Sequence, residues 1–225
     1  MLSGAMEIGI VCQILSLLIA VILHEIAHGY VAKKLGDPTA SDAGRLTLNP
    51  LKHIDLFWTI LLPGMLILSH SPVVFGGAKP VPVDPRYFKR PRRDMMWVAL
   101  AGPMTNIILA LLSILMIWVC GASISSNGGD NSIFPIFVNT VVLFLVNSVF
   151  INVILAVFNL VPVPPLDGSR ILSGLLPWKY ARQMARLERY GILLIFVLLY
   201  FRVLDYVFNP ILQGVEILLR ELVGY

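Results

Sequence analysis

Three long stretches without a charged residue constrain this chain more than any other feature. Only 13% of its 225 residues are charged, against roughly a quarter in a soluble domain. A helix crosses the hydrocarbon core of a bilayer with about 20 mostly apolar residues. The uncharged stretches, the first of which continues as an apolar pattern through Glu25 to Ala32, therefore predict three membrane-spanning helices, near residues 8–32, 96–120 and 134–160.

Two further apolar segments are less regular. A fourth span is predicted near residues 190–208, where Arg202 and Asp205 stand three positions apart and can pair on one helix face. Residues 56–70 form a shorter apolar run that Pro63 interrupts. That length and that break predict a re-entrant segment, which enters and leaves the membrane on one side.

The basic residues predict how the chain is oriented. Fifteen of the seventeen Lys and Arg residues lie within residues 33–52, 79–93 and 170–189, whereas residues 121–132 contain none. Because basic loops stay in the cytoplasm, the three basic segments are predicted to be cytoplasmic and residues 121–132 external. The net charge of +4 thus reflects loops beside a membrane and does not indicate a nucleic-acid partner.

Short alternating or Gly/Pro-punctuated runs at residues 41–50 and 73–83 are compatible with strands. The predicted fold is therefore an all-α polytopic membrane protein. It has about four transmembrane helices, a re-entrant segment and a small membrane-associated β-sheet. We expect residues 1–225 to form a single membrane-embedded domain.

The first span ends in a pattern that carries chemistry. His24-Glu25-Ile26-Ala27-His28 fits H-E-x-x-H, in which two imidazoles project from one helix face and can share one zinc ion. The glutamate beside the first histidine can then act as a base towards water. The alternative is that these side chains reach from the end of a span to water, but that does not require this register. Ionisable groups inside a membrane favour a functional role.

A catalytic zinc needs a third protein ligand and an open position. Residues 159–168 attract attention because Pro162, Pro164 and Pro165 cannot lie in an unbroken helix, so the span must unwind just before Asp167. Unwound backbone at membrane depth is tolerated where it lines a watery cavity. Asp167 is equally well explained as the N-cap of a following helix. The candidates for the third ligand are His53, His70, Asp37, Asp42, Asp55, Asp84 and Asp167.

With these motifs in view, the chain resembles the site-2 protease family of intramembrane zinc metalloproteases. The resemblance rests on residues 24–28, 101–106 and 159–168. Residues 29–30, 35–40 and 44–50 resemble more narrowly the compact prokaryotic branch. Many relatives carry a PDZ domain between the two metal motifs, and here the intervening spans and loops leave no room for one.

The resemblance implies one zinc held by His24, His28 and Asp167, with Glu25 activating water and Asn159 placed near the reacting carbonyl. It also implies a membrane-spanning helix as substrate and a multi-pass location in a prokaryotic cell membrane. The orientation predicted from the basic loops places the active site towards the cytoplasm. Such substrates include membrane-anchored regulators and leftover signal peptides. A helix hides its carbonyls, so the substrate must unwind, and the strand-like runs near 41–50 and 73–83 are expected to bind it by edge pairing.

Two other functions compete with proteolysis. In a metal-handling transporter the same residues would bind an ion in transit, although such a site does not need Glu25 beside two histidines. In an inactive scaffold, membrane helices would bind without being cut. The sequence predicts neither the oligomeric state nor the identity of the substrate.

Overall fold

The computed structural model describes residues 2–61, 65, 68, 77–126 and 133–223. Three helices dominate it: α1 (Leu2–Lys34), α3 (Pro91–Ser126) and α4 (Ile133–Leu160). Within them, Glu7–Lys34, Pro91–Val119 and Phe137–Leu160 are long and apolar enough to cross a membrane. Only 28%, 33% and 22% of their most apolar windows are buried within the protein, so most of their apolar surface is available to lipid.

Shorter elements complete the described residues. The helices are α2 (Thr39–Asp42), α5 (Asp167–Leu175), α6 (Trp178–Leu187), α7 (Gly191–Tyr200) and α8 (Asp205–Val223). Three 3-10 turns cover Pro50–Lys52, Pro85–Tyr87 and Glu188–Tyr190, and one π-helical turn covers Leu56–Leu61.

The predicted β-sheet is not supported, because the part of the chain that the structure describes contains no strand. Residues 41–50 comprise the end of α2, a turn at Gly44 with a φ of 62° and several bends. Residues 77–83 form no regular secondary structure, and residues 73–76 lie outside the described part. Pro80 and Pro82 have no N–H group to donate to a ladder, so this segment is poorly suited to a sheet.

The re-entrant segment predicted over residues 56–70 is described only at Leu56–Leu61 and at residues 65 and 68, all of them helical. Pro63, Gly64 and His70 lie outside the described residues. The re-entrant path stays a prediction.

The fourth predicted span, near 190–208, is interrupted. Helix α7 ends at Tyr200, and α8 begins at Asp205. Arg202, between them, has a φ of 55°, a left-handed conformation that no α-helix contains. Contrary to the prediction, Arg202 therefore does not lie on one helix face with Asp205. Counting this interrupted pair as one span gives up to four spans instead of three.

The chain divides into two compact units. The first contains residues 1–20, 106–157 and 204–225, with a core of Ile117, Leu145, Val149 and Leu219. The prediction of a single domain over residues 1–225 stays a prediction.

Buried amides join the helices of this first unit. The side-chain amide of Asn106 donates to Asn152 Oδ1 over 2.8 Å and to the carbonyl of Ala20 over 3.3 Å. These bonds link α3 to α4 and to α1. Asn147 instead donates to Leu143 in its own helix.

The second unit contains residues 21–105 and 158–203. Its apolar cluster packs Ala32 of α1 against Phe88 and Val98. Helix α3 begins at Pro91, where the Asp94 carboxylate accepts the backbone N–H of Arg90. Pro103 lies in the interior of this helix.

The Asn106–Asn152 bond generates a stability prediction. We expect Asn106→Leu to lower the free energy of unfolding in detergent by about 1 kcal/mol, because it leaves Asn152 Oδ1 without this donor. Adding Asn152→Leu should cost less than the sum of the two single changes. Thermal unfolding of the wild type, the two single variants and the double variant measures the coupling. Asn147→Leu is the matched control. Strictly additive costs would contradict the prediction.

Candidate active site

Two imidazoles lie together on α1. His24 and His28 are buried and stand one helical turn apart, which places both rings on one face. Their Nε2 atoms are 3.0 Å apart, and the rings meet edge to face. The same nitrogen of each ring is thus directed at one point.

Asp167, which lies far from the two histidines in the sequence, places its carboxylate at that point. Its Oδ2 lies 3.2 Å from His24 Nε2 and 3.3 Å from His28 Nε2. Three ligands bound tetrahedrally at about 2.0–2.1 Å must lie about 3.3 Å from one another. The observed separations fit a metal ion of that size.

Local backbone geometry brings Asp167 there. Helix α4 ends at Leu160, the proline-rich residues follow, and Asp167 begins α5. The N-cap is Leu166, without a side-chain bond, so the N-cap role considered for Asp167 was wrong. A Cβ on Gly168 would collide with the backbone of Leu160 and Val161, which indicates that the chain folds back tightly just beside the carboxylate.

Supporting groups orient these side chains. His28 Nδ1 lies 2.7 Å from the carbonyl oxygen of Val98 on α3. A carbonyl can only accept, so Nδ1 carries the proton and Nε2 keeps its lone pair for a metal.

Glu25 sits beside the histidines without joining the group. It is half-buried, and its Oε2 accepts the backbone N–H of Val81 over 2.7 Å. This bond leaves the second carboxylate oxygen available for another partner.

The electrostatics of the group favour an ionised carboxylate. Asp167 lies beyond the third span, and its burial alone would raise its pKa. When Nε2 of His24 and His28 also carries a proton, hydrogen bonds from these rings outweigh burial and hold the pKa of Asp167 below its ordinary range. A bound metal ion would take the place of those protons.

Gly102 allows α3 to approach the two imidazoles. A Cβ at this position would lie 2.5 Å from His24 Cε1 and 2.5 Å from His28 Nε2, well inside normal contact distance. Glycine in a helix interior is unfavourable by about 1 kcal/mol relative to alanine. An isolated glycine within an apolar helical run was therefore the signal that could have identified this residue as part of the site.

The other candidates for the third ligand lie elsewhere. The Asp37 carboxylate bonds to Thr39 and to the backbone of Asp84, and His53 Nε2 bonds to the carbonyl of Thr47. Asp84 pairs with Arg86, a bond that lowers the pKa of its carboxyl. Asp42 is exposed, Asp55 is half-buried and His70 lies outside the described residues. Within the described ranges, the one group of three or more potential ligands is His24, His28 and Asp167.

Asn159 is half-buried in the last turn of α4, close in sequence to the chain reversal. Its expected catalytic role stays a prediction.

The site combines two imidazoles and a glutamate on a membrane-length helix with a carboxylate from another segment. This combination is typical of a metal-dependent hydrolase. Comparison with known sequences agrees. The model of Peptidase family M50 matches residues 12–202, and the chain belongs to this family, the site-2 protease family that its motifs resemble.

Several curated relatives extend the comparison. The chain is 37% identical over 206 residues to "Putative zinc metalloprotease YwhC" of Bacillus subtilis, covering 89% of this chain and 85% of the relative. It is 30% identical over 185 residues to "Putative zinc metalloprotease Rip2" of Mycolicibacterium smegmatis, covering 81% and 64%. It is 26% identical over 164 residues to "Zinc metalloprotease MJ0392" of Methanocaldococcus jannaschii, covering 73% and 34%. No solved structure matches the chain significantly.

The contact at Gly102 generates a prediction about the metal. We expect Gly102→Ala to reduce the zinc bound per purified chain at least tenfold, because the new methyl group pushes the imidazoles apart. Gly214→Ala is the matched control, since a Cβ there meets nothing within 4 Å. Zinc is measured by elemental analysis after dialysis. Full occupancy in Gly102→Ala would contradict the close approach of α3.

Proposed function

We propose that this chain is a zinc metalloprotease that hydrolyses peptide bonds within the transmembrane segments of membrane proteins. The observation that carries the proposal is the meeting of His24, His28 and Asp167 beside Glu25 on a helix long enough to span a membrane. The family and the relatives named above support zinc as the metal.

His24, His28 and Asp167 would hold one zinc ion per chain, leaving a fourth position open. Zinc bound there supplies a Lewis acid for the scissile carbonyl and lowers the pKa of water. The protonated Nδ1 of His28 keeps its Nε2 directed at the site.

Glu25 acts as the base. It takes the proton from the attacking water and later gives it to the leaving amine. The hydrogen bond from Val81 fixes one carboxylate oxygen, so the other remains available for this proton. Asn159 is proposed to bind the reacting carbonyl, which its place in the last turn of α4 supports.

The substrate is proposed to be a membrane-spanning helix that unwinds locally, from a membrane-anchored regulator or a signal-peptide remnant. The basic loops support a multi-pass location in a cell membrane with the active site towards the cytoplasm. Edge pairing along residues 79–83 has little support, since two of its three N–H groups bond to His53 and Glu25.

The transporter alternative has no support from the comparisons, in which every relative named above is called a metalloprotease. A scaffold is equally disfavoured, because the glutamate and the proposed metal ligands are all present.

The role of Glu25 is tested by replacing its carboxylate with the amide of glutamine. We expect Glu25→Gln to lower cleavage of a transmembrane-helix fusion protein by at least a thousandfold, because an amide cannot accept the proton, while bound zinc is unchanged. Glu7→Gln, an exposed glutamate on the same helix, is the control. Cleavage is measured in detergent micelles by the appearance of the shorter fragment. Zinc-dependent cleavage by Glu25→Gln at the wild-type rate would defeat the mechanism.

The third ligand is tested by zinc content. We expect Asp167→Ala and His28→Ala each to lose most of the zinc, because either change leaves two protein ligands. Asp42→Ala, which removes an exposed carboxylate, should keep one zinc per chain. Unchanged stoichiometry in Asp167→Ala would assign the third ligand to another residue.

A further inference from the structure

The segment Lys79–Asp84 passes the proposed base. It belongs to no helix or strand, and its prolines cannot donate hydrogen bonds. Yet Val81, midway along it, donates the bond that holds Glu25 Oε2. The position of this N–H group must therefore be fixed by contacts outside regular secondary structure.

Asp37 fixes one end of the segment. It follows α1, the helix that carries Glu25, and it is 0% exposed. Its Oδ2 accepts the backbone N–H of Asp84 over 2.7 Å, a bond between residues 47 positions apart. Burying a carboxylate is costly unless it is well hydrogen-bonded, and here both oxygens accept bonds.

Arg45 fixes the other end. This residue is also buried, and its Nη2 donates to the carbonyl of Lys79 over 2.7 Å. The Lys79 N–H donates in turn to the carbonyl of His53 over 2.8 Å. Val81 is thus held from both sides. Helix α1 carries Glu25 and is followed closely by Asp37, so it positions both the base and one of the two residues that hold the segment.

We propose that Asp37 and Arg45 are positioning residues for peptide hydrolysis, fixing Lys79–Asp84 so that the Val81 N–H holds the Glu25 carboxylate in its reactive orientation. This inference rests on the proposed role of Glu25 as the base. A glutamate side chain otherwise rotates about three torsions, and a fixed donor selects the rotamer that faces the metal site.

A simpler role for Asp37 would be local. Its Oδ1 accepts the N–H and the hydroxyl of Thr39, which stabilises the turn before α2. That role does not require the bond from Oδ2 to Asp84, and it predicts no effect on catalysis beyond stability.

The test separates turnover from binding. We expect Asp37→Ala and Arg45→Ala to lower kcat about 10- to 100-fold, the usual effect of losing a supporting hydrogen bond. KM for the transmembrane-helix fusion protein and zinc content should stay within twofold of wild type. Asp37→Asn keeps a carbonyl acceptor for Asp84 and should recover part of kcat. Thr39→Val, which removes the local hydroxyl bond, should match wild type.

Two variants of Val81 isolate the N–H group. Val81→Pro removes the donor, and proline suits this position because an extended backbone is already imposed before Pro82. Val81→Ala keeps the donor while trimming the side chain. We expect kcat to fall much further in Val81→Pro than in Val81→Ala, which reports the effect of side-chain packing alone.

Wild-type kcat in Asp37→Ala and Val81→Pro would overturn the inference, as would loss of zinc in parallel with kcat. Glu25→Gln is measured alongside. If it is inactive while these variants are normal, only the positioning role fails; if it is active, the proposed function fails as well.

Discussion

The structure depends on one carboxylate reaching two imidazoles. His24 and His28 can present their nitrogens from a plain helix, but they complete a metal site only when Asp167 arrives within about 3.3 Å of both. Several otherwise unfavourable features serve this meeting. The helix before Asp167 stops at Leu160, the chain reverses over Gly168, and a glycine in α3 admits the rings.

Three polar side chains at or near the site are paired with backbone atoms. His28 bonds to Val98, Glu25 to Val81, and Asp37 to Asp84. Backbone partners suit such an environment, because a lipid-facing protein has few polar side chains available and cannot leave a buried charge unpaired. Together with Asp167, these contacts make the site a property of four chain segments, since no single helix holds both the reactive groups and their supports.

Much of the site could be predicted from sequence, because its signals are local. The spacing of His24, Glu25 and His28 follows from helical geometry, and the prolines after Asn159 require a break before Asp167. Two other predictions were unsupported or incomplete for physical reasons. The β-sheet was inferred from alternation in segments whose prolines cannot form ladders. The fourth span was predicted from composition, which does not reveal that a left-handed turn at Arg202 divides it between two helices.

The sequence by itself determined which three segments are long and apolar enough to span a membrane, where the third of them ends and that two imidazoles share a helix face, since hydropathy, proline and helical periodicity act over neighbouring residues. Only the tertiary structure decided which of seven candidate groups meets the imidazoles, and that Gly102, Val98 and Val81 line the site. Those contacts join segments distant in the chain, and two of them use backbone atoms, which every residue type provides and no sequence pattern distinguishes.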